Sequence, residues 1–305
     1  MKFLKSCAHL FKSSATEWSN DKAARLGAAL SYYTIFSLAP LLLLVVAVAG
    51  LALGREAAQG KIVEQLSGLI GHEAGATIES IVSKSNQKGG GILATAIGVV
   101  TLIVGATGVL IELQDALNTV WKVVPKPGRG IKGIIRDRLL SFGIVLGFGF
   151  LLLVSLVLSA AVAMLDSWIG GLIPGWVIAG YVLSYGLSVG LVALVLAAIF
   201  KILPDVKISW RDVWVGALVT SVLFHVGKFG ISTYIGKASV GSTFGAAGSL
   251  AVLLVWIYYS SQIVLWGAEL TRAYSNRYGS HVVPNANAVE APRTPPPLQP
   301  APRPV

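Results

Sequence analysis

The sequence is poor in charge and has almost no cysteine. Charged residues make up only 12% of its 305 residues, and Cys7 is its single cysteine. One cysteine cannot form an internal disulfide or a paired-cysteine metal or redox motif. The four histidines are scattered along the chain, so no histidine cluster indicates a metal site either. We therefore expect no metal and no cofactor.

Apolar residues take the place of the missing charge. Hydrophobic residues make up 54% of the chain, which is too much for an ordinary soluble domain. A membrane-spanning helix needs about 20 mostly apolar residues. Six segments meet that length: 26–53, 92–118, 139–165, 176–202, 213–235 and 249–270. The sequence therefore predicts an all-α membrane protein with six transmembrane helices, held within a domain of residues 23–275.

The basic residues are divided unequally between the two sides of these spans. If both termini are cytoplasmic, 18 of the 24 Lys and Arg residues lie on the cytoplasmic side and five lie outside. Cytoplasmic loops of membrane proteins carry such an excess, so both termini are predicted to be cytoplasmic. The same bias accounts for the net charge of +10, so that charge is no argument for a nucleic-acid partner, and we expect none.

The two ends of the chain differ in character. In residues 1–22, apolar side chains recur at helical spacing opposite lysines, which predicts an amphipathic helix on the inner membrane surface. Residues 284–305 carry eight of the 13 prolines. We expect residues 276–305 to form a disordered, Pro-rich cytoplasmic tail.

Proline 40 interrupts the first predicted span. It removes one backbone hydrogen bond from the helix and therefore predicts a kink, more often a static bend than a hinge. The hydroxyls of Ser31, Thr34 and Ser37 lie in the turns before it and are candidates to satisfy the freed carbonyls.

Lys228 lies inside the fifth predicted span. A charged side chain near the bilayer centre costs about 2.5–3.5 kcal/mol on insertion scales, so Lys228 should face protein or water. It belongs to a set of polar residues predicted deep in the fifth and sixth spans: Ser221, His225, Lys228, Ser232, Tyr258 and Gln262. This set is either a hydrogen-bonded packing face or the wall of a substrate path. The sequence favours neither interpretation over the other.

A second set of charges is predicted at the cytoplasmic ends of the spans and comprises Arg25, Glu112, Asp115 and Glu269. Acids beside basic residues at a helix end ordinarily form interfacial ion pairs, which is the favoured interpretation. The functional alternative is a cytoplasmic gate in which Arg25 makes and breaks a pair with Glu112 or Glu269.

Three motifs carry a resemblance to a known family. They are AALSYYTIFSLAPLLL in the first span, LQDALNTVW closing the second and FGAAGSLAVLLVWIYYSSQIVLWGAEL at the sixth. Over about residues 23–274 the chain resembles the YihY/BrkB family of bacterial inner-membrane proteins. The resemblance implies six spans and a multi-pass location in the bacterial cytoplasmic (inner) membrane. Members of that family are described as virulence factors and, in older usage, as ribonuclease BN. Some look like candidates for exporting lipid or envelope precursors, and the family supplies no established catalytic residues.

Ribonuclease chemistry does not fit these residues. Metal-dependent phosphodiester cleavage needs clustered His, Asp or Glu, and the predicted topology keeps the histidines apart. We expect no enzymatic activity.

The favoured function is a transporter or exporter of a lipid-linked or amphiphilic anionic envelope component, since the deep positive charge of Lys228 suits a negative head group. Its partners would be membrane lipids and an anionic lipid or solute. The alternative is a non-transporting membrane scaffold or an envelope-integrity, virulence-associated protein.

Overall fold

The structure is a computed structural model that describes residues 2–70, 79–80, 108–126, 143, 147, 151, 154, 164, 176–238 and 240–292. Helices dominate it. They are α1 (Lys2–Asn20), α2 (Ala23–Leu53), α3 (Arg55–Ile70), α4 (108–120), α5 (Trp176–Ile202), α6 (Trp210–Ala238) and α7 (Val240–Tyr278). The mostly helical class predicted from the sequence is confirmed.

Three stretches of the described chain are long and apolar enough to cross a membrane: Val182–Ile202, Trp210–Ile231 and Leu250–Tyr278. They coincide with the fourth, fifth and sixth predicted spans. The first predicted span lies within α2, and α4 contains the end of the second. Most of 139–165 lies outside the described residues. The total of six spans and the cytoplasmic position of the termini therefore stay predictions.

Helix α2 continues through Pro40 without a break in its helical backbone. The Ser31 and Thr34 hydroxyls donate to the carbonyls of Gly27 and Leu30, at 2.7 Å and 2.6 Å. These carbonyls lie nearer the start of the helix than the one at position 36 that Pro40 leaves without its usual donor. The two hydroxyls therefore do not satisfy the freed carbonyl as expected, and the kink itself stays a prediction.

Helices α6 and α7 form an antiparallel hairpin that crosses through glycine and threonine. A Cβ atom placed on Gly216 of α6 would lie 1.7 Å from Thr271 Oγ1 of α7, and one on Gly267 would lie 2.0 Å from Thr220 Oγ1. The Thr220 hydroxyl donates to the Gly216 carbonyl at 2.6 Å, and that of Thr271 donates to the Gly267 carbonyl at 2.7 Å. Small residues thus let the two backbones approach closely, as in other membrane helix pairs, while the hydroxyls remain satisfied within their own helices.

The opposite side of α6 carries a stripe of exposed apolar side chains: Leu218, Val222, Val226 and Phe229. Their spacing of three and four residues places them on one helical face. Such a surface is favourable against lipid and costly against water, so it supports the membrane assignment.

A buried hydrophobic core lies where α4, α5 and α7 meet. Leu117, Val120, Phe200 and Leu265 are almost fully buried there. Because all four side chains are apolar and large, their burial stabilises this end of the molecule by about 1.5–3 kcal/mol each. The charged residues described below are held against this core.

The segment after α7 corrects the predicted tail. The sequence predicts disorder from residue 276, but α7 continues to Tyr278, and two short strands follow, β3 (Val283–Pro284) and β4 (Ala288–Glu290). Strand β3 pairs antiparallel with β2 (Val206–Lys207), and β4 pairs antiparallel with β1 (Val123–Pro125). Residues 293–305, which hold six of the prolines, lie outside the described residues.

Two buried carboxylates hold this segment in place, which explains the order. Asp212 Oδ2 accepts hydrogen bonds of 2.8 Å from the Ser275 hydroxyl and from both the backbone and the hydroxyl of Ser280. Asp205 Oδ1 accepts from Asn285 at 3.1 Å. Proline content alone gave no sign of these anchors, because they lie in a different part of the sequence.

Candidate functional site: a charged cleft beside the last helix

Four charged side chains from separate segments form an ion-pair network beside α7. Lys122, just after α4, pairs with Asp21 and lies 3.5 Å from Glu17 Oε2. Arg272 of α7 donates from Nη2 to the same Glu17 oxygen at 2.9 Å and from Nη1 to the Val120 carbonyl. The network therefore ties α1 and the turn after it to the ends of α4 and α7.

Glu269 lies one turn before Arg272 and is the most buried acid of this region, with 1% of its surface exposed. Its Oε2 lies 3.6 Å from Arg272 Nη1, which is beyond hydrogen-bond length. Neither carboxylate oxygen has a hydrogen-bond partner in the described part of the chain, and the same holds for Asp21 Oδ2. A buried carboxylate without a donor is unusual and costly.

A cleft of about 480 Å³ opens between α1 and the end of α7. Its polar lining comprises His9, Ser13, Glu17, Glu269, Arg272, Asn276 and Arg277. Arg277 Nη1 donates to His9 Nδ1 at 2.8 Å; an arginine cannot accept, so that ring nitrogen carries no proton in this arrangement. Outside this lining, the rings of Phe11 and Trp266 pack with centroids 5.2 Å apart and planes tilted by 50°, and Trp266 lies one helical turn before Glu269. The cleft thus combines charged groups with an adjoining aromatic surface.

Two neighbouring cations determine the pKa of Glu17 in the cleft. Desolvation by burial would by itself raise the pKa of Glu17, but the hydrogen bond and charge of Arg272, with the charge of Lys122, outweigh it. The pKa of Glu17 is therefore held below its ordinary value. Glu17 is a carboxylate at neutral pH and keeps Arg272 oriented.

The deep stripe predicted on α6 is in part a helix-packing feature. The Ser221 hydroxyl donates to the Val189 carbonyl of α5 at 2.7 Å. His225 Nδ1 lies 2.9 Å from the Ser221 carbonyl and must donate to it, while Nε2 lies 3.2 Å from the Ser188 hydroxyl of α5. One ring nitrogen of His225 is therefore engaged within α6, and the other joins α6 to α5.

Among the described residues, the other members of the predicted path have different surroundings. Lys228 is half-buried and lies away from the exposed apolar stripe of α6. Gln262 packs over Gly27 of α2 and donates to the Ala23 carbonyl at 3.4 Å, whereas Tyr258 is 37% exposed. The side chain of Ser232 lies outside the described part. The predicted path thus stays a prediction.

The predicted gate residues adopt a different pairing. Arg25 is exposed and forms no ion pair with Glu112 or Glu269 in the described structure. Glu269 pairs with Arg272 instead, while Glu112 is half-buried and Asp115 is exposed on α4. The predicted gate, in which Arg25 would make and break its pair, therefore stays a prediction.

The sequence analysis missed the partners of Arg272. From the sequence, Lys122 counts only among the cytoplasmic basic residues, and neither Glu17 nor Asp21 is predicted as a site residue. One sequence feature could have singled out Glu17 and Asp21: their spacing of four residues, which places two acids on one face. Nothing in the sequence would have connected them to Arg272, which lies some 250 positions later.

The fold, with its apolar hairpin of spanning helices and its charged cleft at one end, defines a helical membrane protein. The chain belongs to the virulence factor BrkB family, whose model matches residues 14–292. The resemblance to the YihY/BrkB family is thereby confirmed.

Similar proteins are themselves named only as membrane proteins. A UPF0761 membrane protein of Methylibium petroleiphilum is 30% identical over 194 residues, which is 63% of this chain and 44% of that protein. One from Ralstonia nicotianae is 30% identical over 58% of this chain and 38% of its own length. One from Alcanivorax borkumensis is 26% identical over 84% of this chain and 58% of its own length. The chain thus spans between 38% and 58% of these relatives. No solved structure matches.

Proposed function

We propose that the protein is a multi-pass transporter or exporter of the bacterial inner membrane, and that its substrate is a lipid-linked or amphiphilic anionic envelope component. The observation that carries this proposal is the cleft at the end of α7, where Arg272 and Arg277 stand beside an aromatic surface. Because Arg272 is already paired with acids, Arg277 is the positive group open to a head group, and the aromatic surface is open to an apolar chain.

The end of the cleft at Arg277, where a head group would bind, has hydrogen-bond donors that the protein does not fully use. Arg277 is exposed, and one of its nitrogens contacts His9. A guanidinium carries five N–H groups in a planar fork that matches phosphate or carboxylate, so Arg277 retains donors for an anion. Asn276 and Ser13 of the same lining add neutral donors.

The aromatic pair of Phe11 and Trp266 provides the apolar surface, next to the end of the cleft at Glu269. Phe11 is 45% exposed and stacks on Trp266, which lies within the stretch of α7 that is apolar enough to span a membrane. An amphiphile whose head group meets Arg277 would therefore lay its chain along α7. A small hydrophilic anion would leave this aromatic surface unused.

A second candidate function is a non-transporting scaffold, and one observation favours it. Ser188, Ser221 and His225 use their polar groups to join α5 to α6. Polar side chains within the spans therefore serve packing in at least this region, as a scaffold would require.

Transport can be tested in vesicles that contain the purified protein. The probe is a fluorescent short-chain phosphatidic acid, and the matched neutral probe is the diacylglycerol with the same fluorophore. Movement between leaflets is measured by adding an impermeant quencher. We expect faster movement of the phosphatidic acid than in empty vesicles and no change for the diacylglycerol.

Variants then locate the site. Arg277→Gln should slow phosphatidic acid movement several-fold, and Lys228→Met should slow it if the deep path is used. Arg211→Gln is the matched control, because Arg211 is also an exposed arginine but does not line the cleft. Equal rates in protein-containing and empty vesicles would contradict transport of this probe and favour the scaffold. Equal transport rates for the Arg277 and Arg211 variants would show that the anion does not bind at Arg277.

The proposal includes no ribonuclease activity. Within the described residues, no three His, Cys, Asp or Glu side chains are grouped so as to hold a metal ion. Highly purified protein should leave RNA intact. Cleavage that disappears with Glu112→Gln would overturn this part of the proposal.

A further inference from the structure

Two buried carboxyl groups meet Arg272 without a hydrogen bond. Glu269 Oε2 lies 3.6 Å and Asp21 Oδ2 lies 3.9 Å from the same nitrogen, Nη1. That nitrogen donates to the Val120 carbonyl, and Nη2 donates to Glu17. Both carboxylates are attracted by the guanidinium charge, but neither receives its hydrogens.

The charges of the network do not balance. Glu17, Asp21 and Glu269 bring three negative charges when ionised, and Lys122 and Arg272 bring two positive charges. One added proton makes the network neutral. Leaving the third charge uncompensated in a buried position would be costly, because desolvation disfavours an unpaired ion strongly.

The other charged groups around Glu269 do not supply the missing compensation. His9 of α1 and Arg277 of α7 line the same cleft, but both are exposed, and neither forms an ion pair with the three acids of the network within the described residues. Arg25 of α2 is exposed and forms no pair with Glu269 within the described chain.

We infer that Asp21 and Glu269 form a proton-binding site, in which Glu269 carries the proton and its carboxyl group donates a hydrogen bond to Asp21 Oδ2. Glu269 exposes only 1% of its surface, and neither of its carboxyl oxygens has a hydrogen-bond partner among the described residues. The side chains of Asp21 and Glu269 lie within hydrogen-bonding reach of each other, so a proton turns one of the two acceptors into a donor and satisfies both groups at once.

Larger cations fit this position poorly. The orphaned oxygens of Asp21 and Glu269 are buried, so a bound ion would have to force the network apart. Calcium needs six to eight oxygen ligands, and the charge of Arg272 beside these carboxyls would repel any metal ion. A proton needs no space and no additional ligand.

Glu269 also lines the cleft, which gives the site a route to water. Protonation of the pair would weaken its hold on Arg272, so the guanidinium would become a better partner for an anion in the cleft. This last step rests on the proposed transport function and would couple the movement of a proton to that of an anion. The proton site itself does not depend on it.

Difference infrared spectroscopy of the purified full-length chain tests the site directly. At neutral pH we expect a carbonyl stretching band from a protonated carboxyl group in the wild type. Glu269→Gln should abolish this band, and Asp21→Asn should shift or abolish it. Asp115→Asn is the control, because Asp115 is exposed on α4, and it should leave the band unchanged.

Three results would overturn the proton site: a wild type without the band at neutral pH, a band kept in Glu269→Gln, or a band unaltered in Asp21→Asn. The third result decides the matter if Glu269→Gln fails to fold. Vesicle transport separates the two proposals. A protein that shows the band but moves no phosphatidic acid keeps its proton site and loses the proposed function. Transport that is unaffected by a proton gradient removes the coupling step alone.

Discussion

The crossing of α6 and α7 gives the most direct prediction, through the substitution Gly216→Ala. A Cβ atom at this position would lie 1.7 Å from Oγ1, 2.8 Å from Cβ and 3.2 Å from Cα of Thr271. Rotation of the threonine could relieve the first contact, but the other two involve atoms that move only with the helix. The helices must therefore separate, and we expect the free energy of unfolding to fall by about 1–3 kcal/mol, the usual cost of overpacking.

The same helix offers a matched control. Gly230→Ala places a methyl group where no atom lies within 4 Å. Alanine favours a helix over glycine by about 1 kcal/mol, so this variant should be as stable as the wild type or more stable. Both variants would be unfolded reversibly in mixed micelles by titrating a denaturing detergent. If Gly216→Ala proved as stable as Gly230→Ala, the close approach of α6 and α7 would be wrong.

Two further predictions concern Glu17 and His225. The pKa of Glu17 is lowered in the folded protein, so its contribution to stability is present above its ordinary value of about 4.5 and is lost as the pH falls through the folded pKa. The stability difference between wild type and Glu17→Gln should accordingly shrink on acidification, and a difference that stays constant with pH would argue against these ion pairs. His225→Ala removes the bonds to Ser188 and to the Ser221 carbonyl, so unfolding should become easier by about 1–3 kcal/mol, while transport per folded molecule is unchanged. Lost transport at full stability would instead make His225 a path residue.

The apolar helices could be predicted because the pattern that defines them is local. The fourth to sixth spans were expected at 176–202, 213–235 and 249–270, and the structure has helices over Trp176–Ile202, Trp210–Ala238 and Val240–Tyr278. Length and hydropathy decide such helices, since the backbone must satisfy its own hydrogen bonds in lipid. The last helix ends later than its predicted span because α7 continues past residue 270, through Arg272, to Tyr278.

The tail shows where local pattern misleads. Its prolines suggested disorder, but residues up to 292 are held by Asp205 and Asp212, which belong to the connection between α5 and α6 and to the start of α6. Composition describes what a segment can do alone. It does not reveal an acceptor that another part of the chain supplies.

By itself, the sequence determined that this is a helical membrane protein of the BrkB family. It also placed a lysine in the fifth apolar segment and acids near the ends of other apolar segments. Only the tertiary structure decided which charges meet. It engaged His225 in packing, paired Glu269 with Arg272, and brought Asp21 to the same guanidinium. The physical reason is that hydropathy acts along the chain over about 20 residues, whereas ion pairs and hydrogen bonds act over a few ångströms between segments that only folding brings together.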